Sequence, residues 1–88
     1  MASPIPPEIP LYKHPLPRLE EWLRQLGGSQ SRTDPSQWDL HQPRWSAQIV
    51  LEIDELKVTW HQEGQQSVRH FPYGLPRADV EAAILAGP

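Results

Sequence analysis

Trp45-Ser-Ala-Gln-Ile-Val-Leu-Glu-Ile-Asp-Glu-Leu-Lys-Val-Thr-Trp60 is the stretch whose reading decides the fold. Trp45, Ala47, Ile49, Leu51 and Ile53 alternate with the polar Ser46, Gln48, Glu52 and Asp54, and only Val50 breaks the pattern. A period of two sends successive side chains to opposite faces, so this is a strand with one buried and one wet face. After Asp54-Glu55 the alternation resumes as Leu56, Val58 and Trp60, with Lys57, Thr59 and His61 on the other side. A two-residue turn at Asp54-Glu55 would set Ile53 against Leu56, Leu51 against Val58 and Ile49 against Trp60, all on one face. The stretch therefore reads as a β-hairpin.

Working outward, Ser36 to His41 predicts a short strand with Trp38 and Leu40 on one face. A four-residue loop, His41 to Arg44, then pairs Leu40 with Trp45 and Trp38 with Ala47. Downstream, Gly64 supplies positive φ to a turn, and a last strand runs from about Gln66 to Tyr73. Two phases are open to it. A two-residue turn at Glu63-Gly64 favours the one that sets Phe71 opposite Leu56, and Arg69 then falls opposite Val58 as a misfit suggesting a bulge. Pro72 implies an edge or a strand end. Leu16 to Leu26 predicts a helix: Pro17 suits its start, Glu20 and Glu21 lie early, and Leu16, Leu19, Trp22, Leu23 and Leu26 form one apolar stripe. Gly27 ends it in a left-handed cap, and Ser29 to Pro35 reads as a polar loop. Pro76 to Ala86 predicts a second helix, with Val80, Ala83 and Ile84 facing inward. The fold class is α+β: an antiparallel three- to four-stranded meander with an N-terminal and a C-terminal helix packed on one face.

Residues 16–88 form the single domain expected of an 88-residue chain, and residues 1–15 are a proline-rich N-terminal arm. Pro4, Pro6, Pro7, Pro10 and Pro15 exclude a helix there. Residues 1–8 read as a tail. From Ile9 the arm is either an ordered strap on the domain or a proline-rich ligand for a partner's aromatic groove.

A net charge of −3 counts against non-specific binding to nucleic acid or anionic lipid. The absence of cysteine excludes disulfides, thiol nucleophiles and Cys-type zinc sites. No apolar run reaches the ~20 residues of a membrane span, and no basic-then-apolar leader opens the chain. The expected setting is cytoplasmic.

Residues that could carry chemistry fall short of a site. His14, His41, His61 and His70 show no i, i+4 pair, and two imidazoles on one strand face lack a third ligand. Glu52, Asp54 and Glu55 crowd the hairpin tip as a solvated acidic knob, able to meet a basic partner but lacking the burial that an acid/base pair needs. No serine stands in a G-x-S-x-G context, and Gly27-Gly28 ends a helix rather than opening one. Trp22, Trp38, Trp45 and Trp60 all fall on core faces, which favours packing over base stacking. No catalytic residue, cofactor or metal is therefore assigned. Binding remains. Tyr12 and Leu16 either staple the arm to the helix, or Tyr12, Lys13, His14 and Arg18 form a recognition surface. Val50 and His61 lie on the open sheet face. Arg77 either pairs with Asp79 or reaches a partner's carboxylate.

Pro10-Leu-Tyr-Lys-His-Pro-Leu-Pro17, Leu19-Glu-Glu-Trp-Leu23, the Trp45 strand and Leu75-Pro-Arg-Ala-Asp-Val-Glu-Ala-Ala-Ile-Leu-Ala-Gly-Pro88 resemble a small family of proteins of unknown function from cyanobacteria, with relatives in plants and algae. The resemblance spans Ile9 to Pro88. It implies a phototroph, with a cytoplasmic or plastid-stroma setting, and brings no reaction or cofactor. Arg69-His-Phe-Pro-Tyr73 departs from the more regular strand associated with that family, which leaves the last register open. The expected function is a non-enzymatic protein-interaction module, a small soluble adaptor or assembly factor, monomeric or weakly homo-oligomeric. The alternative is a nucleic-acid or ribosome-associated protein.

Overall fold

A computed structural model describes residues 9–13 and 15–88. A short 3-10 turn (Leu11–Lys13) precedes α1 (Leu16–Gln25), β1 (Ser29–Gln30), β2 (Gln37–His41), β3 (Ser46–Leu51), β4 (Glu55–Gln62), β5 (Gln65–Pro72) and α2 (Arg77–Ala86). The five strands form one sheet in chain order, antiparallel throughout. This is the α+β meander expected, with one more strand. The addition is β1, which lies in the stretch read as a polar loop and pairs Ser29 with Asp39 and Gln30 with Trp38. Both of its residues are exposed, so backbone hydrogen bonds alone define it, and these leave no hydrophobic period in a sequence.

Two registers differ from the sequence expectation by two residues each. β3 meets β4 as Leu51 with Leu56, Ile49 with Val58 and Ala47 with Trp60. The connection is a four-residue turn in which the Glu52 N–H donates to the Glu55 carbonyl at 3.0 Å. A two-residue primed turn would have needed positive φ at Asp54, and in type I′ at Glu55 as well, and among the described non-glycine residues only Glu63 adopts it. Ile53 consequently stands at the tip, 97% exposed, instead of facing Leu56. β2 meets β3 as Leu40 with Ala47 and Trp38 with Ile49, closed by the Gln42 N–H to the Trp45 carbonyl at 2.8 Å. A slip of two keeps every side chain on its own face, so alternation cannot detect it. The β4–β5 register is the one expected, with Leu56 opposite Phe71. Its turn has φ 50° at Glu63 and 79° at Gly64, the primed geometry that matches strand twist. Pairing runs unbroken from Gln62–Gln65 to Glu55–Pro72, so Arg69 makes no bulge. It lies exposed, its guanidinium 4.9 Å from the Phe71 ring centroid.

One sheet face contributes Trp38, Leu40, Ala47, Ile49, Leu56, Val58, Trp60 and Phe71 to the core. Leu19, Trp22 and Leu23 of α1 and Val80 and Ile84 of α2 close over it, and Trp45 packs partly buried against it. α1 ends as the Gly27-Gly28 pair dictates. Gly27 has φ 100°, its N–H reaches the Arg24 carbonyl, and the Gly28 N–H reaches the Leu23 carbonyl. Glu81 joins the helices by accepting from Trp22 Nε1 at 2.8 Å and from Arg77 at 2.5 Å.

Residues 9–13 lie on the domain as a strap. Pro10 bridges Pro76, the Leu11 N–H donates to the Leu75 carbonyl and the Tyr12 N–H to the Tyr73 carbonyl. Leu11 is its apolar anchor, fully buried. Tyr12 and Leu16 do not staple it, since both are more than half exposed. The expectations for residues 1–8 and for His14 lie outside the described residues.

Candidate binding groove at the hairpin tip

The four-residue β3–β4 turn stands at one end of the sheet. A cleft of about 480 Å³ opens there, lined by Ser36, Val50, Leu51, Glu52, Ile53, Asp54 and Glu55. A smaller hollow of about 170 Å³ lies beside it, lined by Leu16, Glu20, Pro35, Ser36 and Leu51. Ser36 and Leu51 line both, so the two make one groove. Its apolar lining is Leu16, Pro35, Val50, Leu51 and Ile53. Its rim carries Glu20, Glu52, Asp54 and Glu55, and neither lining includes a Lys or Arg.

Local hydrogen bonds hold the walls. The Leu51 N–H donates to the Ser36 carbonyl at 2.9 Å. The Asp34 carboxylate accepts from the Ser36 hydroxyl at 2.6 Å and from the Ser36 N–H at 3.0 Å. These bonds, the hydroxyl first, hold the Asp34 carboxyl below its usual range. Gln30 Nε2 donates to the Pro35 carbonyl at 2.8 Å and to Glu20 at 3.2 Å, which ties the loop to α1. On the other side the Tyr73 hydroxyl donates to the Glu52 carbonyl at 2.5 Å and pins the turn. Burial pushes the Tyr73 phenol above its ordinary value of 10.0, and the charges of Glu52 and Glu55 push in the same direction.

His70 Nδ1 contacts the Glu55 carboxylate, and the ligand atoms of Glu52, Glu55 and His70 lie within 4.8 Å of one another. One imidazole and two carboxylates can hold a divalent cation. Glu52 and His70 are exposed, and exposed acidic groups of this kind are common without a bound ion.

Of the residues singled out in the sequence, Val50 lines the cleft. Tyr12 and Lys13 are exposed on the strap and Arg18 is exposed on α1. His61 is exposed on the sheet face opposite the helices, four residues along β4 from Val50's partner Lys57, or about 13 Å at strand rise. Arg77 turns inward and pairs with Glu81, not Asp79; its side chain is 10% exposed. The groove residues missed are Leu16, Leu51 and Ile53, which alternation and helical spacing assigned to the core face. The signal that finds Ile53 is the absence of a glycine or asparagine at Asp54-Glu55, which disfavours the tight turn.

Residues 26–87 match the model of a family described as Protein of unknown function (DUF3143). No curated protein and no solved structure matches the chain. The matched span takes in the whole sheet, α2 and the hairpin wall of the groove; Leu16 and Glu20 precede it. Among the described residues no helix is long and apolar enough to cross a membrane.

Proposed function

The chain belongs to the DUF3143 family of proteins of unknown function, and from its groove we propose that it is a non-enzymatic protein-interaction module. In this reading it is a small soluble adaptor or assembly factor that holds a basic, partly apolar segment of another protein. The observation that carries the reading is Ile53: a large aliphatic side chain, 97% exposed, set between Glu52 and Asp54 and lining a cleft that lies beside an apolar hollow. A lone exposed aliphatic residue is ordinary, but this one lines a cleft with Val50 and Leu51, and Leu51 also lines the neighbouring hollow with Leu16 and Pro35, so together they offer a patch that a partner can cover. Burying such a side chain contributes about 1.5–3 kcal/mol. Glu52, Asp54 and Glu55 around it, with Glu20 at the neighbouring hollow, select a partner rich in Lys or Arg and speed its encounter. The same carboxylates repel phosphate, which weighs against the nucleic-acid alternative. The resemblance of the opening and closing motifs supports a phototroph, with a cytoplasmic or plastid-stroma setting.

Fluorescence anisotropy with three labelled probes tests this: a Leu/Lys peptide, a Leu/Glu peptide and a single-stranded oligonucleotide. The Leu/Lys peptide should bind, weaken as salt is raised, and lose affinity in Ile53→Asp and in Glu52→Lys/Asp54→Lys. Ile53→Asp makes the rim more acidic, so a loss there reports apolar contact and not charge. Equal affinity in all three proteins, or tighter binding of the oligonucleotide, would overturn the reading.

A further inference from the structure

β5 is an eight-residue edge strand, and Gln65 to His70 are exposed without a break. Its primed two-residue turn makes Gln62 and Gln65 the first hydrogen-bonded pair. Alternation along the ladder from that pair directs the N–H and C=O of Gln66, Val68 and His70 away from β4, out of the sheet. Open edges of this length recruit other strands, and proteins blunt them with lysine, proline, bulges or brevity. The opposite edge, β1, is short at two residues. β5 carries one fixed charge, Arg69, which lies over the Phe71 ring, and has no lysine and no bulge; its proline is its last residue. The strap bonds to the turn that follows β5, at Tyr73 to Pro76, and among the described residues no backbone pairs with the outer edge of β5.

We propose that β5 pairs with the β5 of a second copy of this chain, antiparallel about a two-fold axis at Val68, joining the two sheets edge to edge. The strand's own sequence selects this occupant. With the axis at Val68, Val68 faces Val68, Ser67 faces Arg69, Gln66 faces His70 and Gln65 faces Phe71. The whole open strand is then used and no like charges oppose. Moving the axis to Arg69 would set two guanidinium groups face to face. Moving it to Gln66 or His70 would leave much of the strand unpaired. At Val68 the outward backbone groups also meet as hydrogen-bonded pairs, two bonds for Val68 with Val68 and two for each Gln66–His70 pair. Val68, 43% exposed, supplies the apolar contact on the axis. A foreign strand would find one fixed charge here, Arg69, whereas a second copy offers it the Ser67 hydroxyl.

Sedimentation equilibrium on the full chain over a wide concentration range tests the proposal. Wild-type protein should show a concentration-dependent dimer. Val68 and Thr59 form a non-hydrogen-bonded pair, so Val68→Pro removes an N–H that β4 does not use. It should raise the dimer dissociation constant at least about tenfold, because the two axial bonds are lost. Val68→Lys places like charges on the axis and should do the same; if the proline variant fails to fold, the lysine variant decides. Ile53→Asp should dimerise like wild type, which separates this edge from the groove. A wild type that stays monomeric at millimolar concentration, or a dimer indifferent to both Val68 variants, would overturn the proposal.

Discussion

Glu81→Ala should destabilise the protein by about 2–4 kcal/mol. One carboxylate oxygen, Glu81 Oε1, accepts from both Trp22 Nε1 and Arg77. Trp22 is 1% exposed, so its orphaned indole N–H costs about 1–3 kcal/mol. The Arg77 side chain is 10% exposed and its Nε already lacks a hydrogen-bond partner, so losing Glu81 also leaves a guanidinium unpaired in the interior. Breaking a fully buried pair costs about 3–5 kcal/mol. The Glu81 side chain is 30% exposed, so water entering the vacated space limits the sum to the range given. Urea denaturation measures it through the shift in midpoint at constant slope. The double variant Arg77→Met/Glu81→Leu supplies the contrast: it removes both charges, leaves only the indole unsatisfied at about 1–3 kcal/mol, and should be less destabilised than Glu81→Ala. A cost below about 1 kcal/mol for Glu81→Ala, or a double variant as damaged as the single one, would refute the claim that an unpaired interior charge sets the effect.

Leu11→Ala should cost about 2–4 kcal/mol in thermal melting, because the strap's anchor is fully buried, whereas Tyr12→Ala should change stability by less than about 0.5 kcal/mol. Gly27→Ala should cost about 1–2 kcal/mol in urea, since φ 100° is a conformation that a Cβ disfavours. Tyr73 gives a pH signature. Its phenol holds its proton more tightly in the folded than in the unfolded chain, so its stabilising contribution is complete below pH 10.0 and is lost as pH rises through the higher folded value. Tyr73→Phe should flatten that alkaline loss in stability-against-pH measurements, and an unchanged alkaline slope would contradict it.

Alternation determined which face each residue of β2, β3 and β4 occupies, and through it the burial of Trp38 and Trp60. It also determined that the helices cover that face. The turn at Glu63-Gly64 was legible for a local reason: a glycine that accepts positive φ selects the primed hairpin. Asp54-Glu55 offers no such residue, and there the face was readable but the register was not. The groove follows from that difference. Alternation marked Ile53 as core, while the wider turn carries it into water between two carboxylates. Val50 and the acidic tip could be noted from sequence, yet the hollow that Leu16 and Pro35 line beside them could not, because those residues come from elements that approach only in the folded chain. The same holds for Arg77, whose partner is Glu81, and for Leu11, whose burial depends on the Leu75 backbone far along the chain. Periodicity along a chain records which side of an element faces water. Register, turn width and contacts between distant segments depend on backbone dihedrals and on packing between surfaces, and those were decided only when the tertiary structure closed.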